Sequence, residues 1–162
     1  MSLKLKILLL VGSINICSND LILSFNKIIL NDLEFVQETN IFSETQKSTG
    51  KVLRKSNFLE VLILEPSKEK YVIKDNIIEV YDFDFNQTSY IDINDQESNI
   101  VNFLINGINS KNVKEISDKS FIIDDIYNSY QVELKSESEL SVIFKDNMNF
   151  VNTINFKSLN KK

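Results

Sequence analysis

The clearest periodic signal in the chain is a helical one near its start. Ser18-Asn19-Asp20 can cap a helix running to about Asp32, and Leu21, Phe25, Ile28 and Ile29 recur along one face at spacings of three and four. Leu33 closes that stripe. From there the period drops to two. In Glu34 to Phe42, Phe35, Gln37, Thr39 and Ile41 alternate with Glu34, Val36, Glu38 and Asn40, which predicts a strand. Ser43 to Thr49 is wholly polar and reads as a loop ending at Gly50, after which Lys51 to Arg54 opens another strand. Phe58 to Leu64 puts Leu59, Val61 and Ile63 on one apolar face, assigned inward, and Pro66 stops the run.

Three strands with tight connections follow. Tyr71-Val72-Ile73 leads into Asp75-Asn76, which suits a type I′ hairpin turn. Ile77 to Tyr81 returns, Asp82 to Asn86 turns again, and Gln87 to Ile93 is the third strand. Residues 95–108 predict a second helix, with Ile100, Phe103, Leu104 and Ile108 as its apolar side and Gly107 as its stop. The last third is strands again: Lys114 to Ile116, Ser120 to Ile123, Tyr130 to Lys135, then a hairpin of Leu140 to Phe144 with Phe150 to Phe156 around Asp146-Asn147. Consecutive hairpins imply an α+β chain built on a strongly curved antiparallel sheet, an incomplete barrel, with helices covering its concave face.

The first residues carry a different signal. Lys4 and Lys6 precede the apolar run Ile7 to Val11, and small or apolar residues continue to Cys17. The run is shorter than the roughly 20 apolar residues of a membrane span. It fits a secretory signal peptide over residues 1–18, leaving one exported domain over 19–162. Two other readings stay open: a lipid anchor on Cys17, against which Ile16 stands where a small residue is usual, and a buried N-terminal element.

Composition then removes several kinds of chemistry. The 162 residues include no histidine and one cysteine, so His-based catalytic triads and the usual His/Cys zinc sites are excluded. Eighteen basic against 23 acidic residues, a net charge of −5, argue against nucleic acid as a partner. Asp82 to Asn86 has the first acidic spacing of a calcium loop, but Gln87 and Ile93 replace the Gly and Glu that such a loop needs. Asp124-Asp125 and the pair Asp92 and Asp95 read as turn residues before they read as acid–base pairs. No phosphate-cradling glycine loop is present. The expectation is a non-enzyme with no cofactor and no metal.

Several strings resemble the LolA family of outer-membrane lipoprotein carriers. Phe35-Val36-Gln37 matches its Phe-x-Gln strand, and Gly50 to Asn57 its Gly-started strand and basic segment. Phe58 to Pro66 matches its aromatic-aliphatic strand. Most specific is Val72 to Gln87, with Tyr81-Asp82 and Gln87 at the family's spacing. The resemblance spans about residues 19 to 157. Asn76 replaces a turn glycine. The family's Arg-Pro pair is not intact: counting from Pro66 puts Lys55 at the Arg position, counting from Gly50 puts Ser56 there, and Arg54 is the alternative donor. The chain also ends where the family adds strands, leaving either a minimal version or an unpaired sheet edge.

The resemblance implies a monomeric periplasmic carrier. It would shield the acyl chains of lipoproteins, take them from an inner-membrane releasing complex (LolCDE-like) and pass them to an outer-membrane acceptor (LolB-like). Its lining would comprise Phe25, Ile29, Phe35, Leu59, Val61, Ile63, Ile78, Val80, Tyr90, Phe103 and Leu104, with Arg54 or Lys55 holding residues 95–108 as a lid. A LolB-like membrane-anchored acceptor, or a non-catalytic envelope interaction module whose inner face is a packed core, are the alternatives.

Overall fold

The computed structural model describes residues 17–95, 100–109, 111, 113–124 and 128–159. Residues 1–16 of the expected signal peptide, Asp125 and residues 96–99 of the expected second helix lie outside them, while Cys17 and Ser18 open the first helix. Helix α1 (Cys17–Ile29) precedes six strands: β1 (Leu33–Ile41), β2 (Glu44–Arg54), β3 (Leu59–Glu65), β4 (Glu69–Lys74), β5 (Ile77–Asp82) and β6 (Gln87–Asp92). A 3-10 turn at Ile93–Asp95 and helix α2 (Ile100–Asn106) lead to β7 (Val113–Ser117), β8 (Ser120–Asp124), β9 (Ser129–Leu134), β10 (Glu139–Lys145) and β11 (Val151–Ser158).

All eleven strands form one open antiparallel sheet in the order β6-β5-β4-β3-β2-β1-β11-β10-β9-β8-β7. It consists of two meanders, β1 to β6 and β7 to β11, joined where β1 pairs with β11 from Leu33↔Ser158 to Asn40↔Val151. The C-terminal strand therefore lies inside the sheet, hydrogen-bonded on both sides. β11 is not a sheet edge. The edges are β6 and β7, and the segment carrying α2 connects them.

Most predicted elements are present with shifted ends; two expectations fail. Glu44 to Thr49 is strand, not loop: β1 turns tightly at Phe42-Ser43 and Ile41 pairs with Glu44. Both hairpin arms are polar there, so no hydrophobic alternation marks the strand. In the Asp75-Asn76 turn only Asp75 takes positive φ (53°), whereas type I′ needs both central residues there. Helix α1 also stops at Ile29 instead of Asp32: the Asn31 N–H bonds the Ile28 carbonyl at 3.2 Å in a tighter turn, and Asp32 Oδ1 accepts a 2.7 Å hydrogen bond from the backbone N–H of Arg54.

The core is densest beside α1. Phe25 is fully buried and meets Phe121 and Phe103 edge-on, with ring centroids at 5.9 and 6.3 Å. Tyr130 lies against Phe103 and Phe144. Leu33, Leu140, Val132 and Val142 complete this packed region. Each such apolar side chain stabilises the fold by about 1.5–3 kcal/mol relative to exposure.

Candidate functional site

Cross-strand register fixes which side chains share the inner face. One row runs Leu33, Val52, Val61, Tyr71, Val80; a second runs Phe35, Gly50, Ile63, Glu69; a third runs Arg54, Leu59, Ile73, Ile78, Ile91. Where α1 packs, over β7 and β9 to β11, this face is filled. On the other half it is hollow. A cavity of about 200 Å³ lies between α2 and β1 to β6, closed laterally by Ile154 and Phe156 of β11. Its walls are Phe35, Val52, Val61, Ile63, Ile73, Ile78 and Ile91 from the sheet, and Ile100, Val101 and Leu104 from α2.

Two polar groups interrupt these walls. The Tyr71 hydroxyl donates to the Glu69 carboxylate, and burial with that carboxylate beside it pushes the phenol pKa up. Gln37 Nε2 donates to Asn152 Oδ1 at 3.1 Å. Asn152 is buried yet satisfied, since its oxygen also accepts from Thr39 Oγ1 at 2.6 Å and its amide donates to Asp146 Oδ2 at 3.2 Å.

At the opposite end of the cavity, Arg54 joins three elements. Its Nη2 donates to the Ile29 carbonyl at 2.9 Å and to the Leu104 carbonyl of α2, and its Nε reaches the Asn31 carbonyl at 3.3 Å. The Ile29 and Leu104 carbonyls lie in the last turns of α1 and α2, which leave them without intrahelical partners. Burial lowers the guanidinium pKa and Asp32 opposes that shift, while the group stays cationic at neutral pH. The donation expected from Arg54 or Lys55 toward the second helix is thus made by Arg54. Lys55 is exposed, and its backbone N–H closes a turn onto the Phe58 carbonyl at 3.0 Å.

The sequence-derived lining residues separate into three groups. Phe35, Val61, Ile63, Ile78 and Leu104 line the hollow. Phe25, Ile29, Leu59 and Phe103 are buried in packed core, and Val80 is half-buried against it. Tyr90 is a correction: it is 69% exposed on the outer face, opposite Glu79. The register pairs Ile78 with Ile91, so Ile91 takes the inward place. Residues missed were Gln37, Val52, Tyr71, Ile73, Ile91, Ile100, Val101, Ile154 and Phe156. The usable signal was pairing across the two-residue Asp75-Asn76 turn, which carries Ile73 inward with Ile78.

Among the described residues no cluster of three metal-ligating side chains occurs. The Asp82 carboxylate accepts from the backbone N–H groups of Asp84 and Phe85, a turn-stabilising arrangement. Asp92 and Asp124 do similar work, bonding Asn94 and Ser129. A second concavity, about 410 Å³, lies on the outer face among Glu34, Lys51, Lys135, Glu139 and Lys157. Its charged rim makes it a poor home for an apolar ligand.

No family model and no curated protein matches the chain. Among solved structures it is similar to the crystal structure of a LolA superfamily protein from Nitrosomonas europaea. The two share 12% identity over 90% of this chain and 94% of that one, with a TM-score of 0.49.

Proposed function

We propose that the chain is a non-catalytic carrier that takes acyl chains into the hollow under α2. The observation that carries this reading is the half-filled inner face: twelve apolar side chains line empty space, while the other half of the same face is packed. At about 200 Å³ the space is smaller than the ~300–1,000 Å³ of typical small-molecule sites. A long acyl chain therefore needs α2 to move. Arg54 supports a closed state, because its bond to Leu104 must break as α2 lifts. The energetic cost of opening weakens net lipid affinity and so permits release. Each buried CH₂ is worth about 0.8 kcal/mol relative to water, and the cost of opening offsets part of that gain when the chain passes to a membrane.

The fuller reading follows the motif resemblance. The sheet curves as an incomplete barrel with both helices over its concave face. The mature protein, freed of residues 1–18, works in the periplasm as a monomer. Its cargo is an acylated lipoprotein, received from an inner-membrane releasing complex and handed to an outer-membrane acceptor.

Filling the hollow tests the reading without disturbing packed core. Val61→Phe and Ile63→Phe should keep the fold by circular dichroism and abolish binding of a fluorescent acyl probe. Full-strength binding in both folded variants would sink it. Mass spectrometry of the mature N-terminus separates a soluble carrier from an anchored acceptor, which would retain an acylated Cys17.

A further inference from the structure

The hairpins β1–β2 and β10–β11 form a tongue whose tip the carrier reading does not use. Pairing of β2 with β3 begins only at Thr49, so Glu44 to Ser48 run on with β1 as their partner. Side chains along that stretch are polar. The apex is not. Phe42, between the paired Ile41 and Glu44, is 94% exposed. It also holds a left-handed backbone (φ 53°), which Asn or Gly adopts at lower cost. Its ring meets Phe150 edge-on at 5.6 Å, and Met148, 71% exposed, projects from the adjoining turn.

That apex is preformed. Asp146 Oδ1 accepts from the backbone N–H groups of Met148 at 3.0 Å and Phe150 at 2.9 Å. The Asp146–Asn152 bond then ties this turn to Thr39 and Gln37 on β1. The two-residue turn between Ile41 and Glu44 accounts for the left-handed backbone, but folding gives no reason for Phe rather than Asn or Gly to stand 94% exposed there; an occupant outside the chain does.

We propose that the Phe42–Met148–Phe150 apex docks shallowly into the interface of a zwitterionic lipid bilayer. Bulky apolar side chains at the tip of a projecting, otherwise polar tongue suit a soft planar surface better than a protein groove. Near the tip Glu44 and Asp146 are offset by Lys47 and Lys145, so no local excess of positive charge draws anionic lipid, and the net charge of −5 disfavours it. The proposal rests on the acyl-carrier reading, since exchange of a lipid chain requires approach to a membrane.

Flotation with phosphatidylcholine vesicles tests it on the mature protein. Phe42→Asn removes the ring and suits the left-handed backbone; Met148→Ser removes the second apolar group. Each should lower vesicle partition by roughly tenfold, with acyl-probe binding and denaturation midpoint not reduced. Leu23→Ser, an exposed apolar site on α1, should float like the parent protein. Absence of parent flotation, retention of it by Phe42→Asn, or equal loss in Leu23→Ser overturns the proposal. So does a concentration-dependent dimer that Phe42→Asn alone abolishes while flotation persists, which assigns the apex to a second copy. Apex-dependent flotation by a protein that takes up no acyl probe leaves docking standing and rejects the carrier reading.

Discussion

The side-chain amide of Asn26 and the backbone of Ile108 exchange two hydrogen bonds, each 2.9 Å, across 82 residues of sequence. The pairing clips the segment just past α2 to the last turn of α1. Gly107 is part of the same joint. It holds φ +67°, and a Cβ there would collide with the Asn26 amide. Asn26→Ala leaves both the N–H and the carbonyl of Ile108 without this partner. The expected cost is about 1–3 kcal/mol, read from denaturant midpoints, together with faster hydrogen exchange at Ile108. Asn26→Asp keeps an acceptor for the N–H and should fall between the two. An unchanged midpoint in Asn26→Ala would show that the clip contributes nothing to stability.

Arg54 is the second tie on α2, and its removal should separate opening from folding. Charged hydrogen bonds contribute about 1.5–3 kcal/mol, which shifts an open–closed equilibrium by tenfold or more. Arg54→Leu should therefore bind an acyl probe more tightly and surrender it to acceptor vesicles more slowly. Arg54→Lys should restore little, because a point charge cannot span Ile29, Asn31 and Leu104 as a planar fork does. Lys55→Leu should behave like the parent. Equal transfer rates in Arg54→Leu and the parent protein would remove Arg54 from the opening step.

How far the site could be read from the sequence depended on which physical rule governed each residue. Alternation located Phe35, Val61, Ile63 and Ile78 because their strands carry apolar residues on the inner face. It misassigned Tyr90, since Thr88, Tyr90 and Asp92 alternate with Gln87, Ser89 and Ile91 without a clear apolar side; only pairing with β5 decides between them. It missed Glu44 to Thr49, where a strand exposed on both faces has no hydrophobic period to show. Packed core and hollow look alike in sequence, as Phe25 and Phe35 are equally apolar. The difference arises from where α1 lies on the sheet. Arg54 was legible as a candidate donor but not as the choice over Lys55, because strand parity sets which of the two points inward.

Gly50 offers a test of packing beside the hollow. An added Cβ would sit 2.5 Å from Phe35 Cζ, with the Leu62 carbonyl oxygen closer still. The ring could swing into empty space, but the carbonyl is held in the β2–β3 pairing. Gly50→Ala should therefore destabilise by about 1–3 kcal/mol and weaken acyl-probe binding by displacing Phe35 into the cavity. Denaturant titration that finds Gly50→Ala as stable as the parent would reject the close contact.

Tyr71 gives the fold a dependence on alkaline pH. Burial is the main cause of its raised pKa, followed by the hydrogen bond to Glu69 and the negative charges of Glu69 and Asp82. In the unfolded chain the phenol loses its proton near pH ~10; in the folded protein it keeps it to higher pH. Above that point the unfolded state binds fewer protons, so stability falls as pH rises. Below it the contribution is fully present. Tyr71→Phe removes the ionisation, and its stability should decline less than the parent's between pH ~9 and ~10.5, where the unfolded phenol titrates. Tyrosinate absorbance should also lose its highest-pH component in the variant. If parent and variant lose stability in parallel over that interval, the Tyr71 hydroxyl is not held protonated by its place beside Glu69.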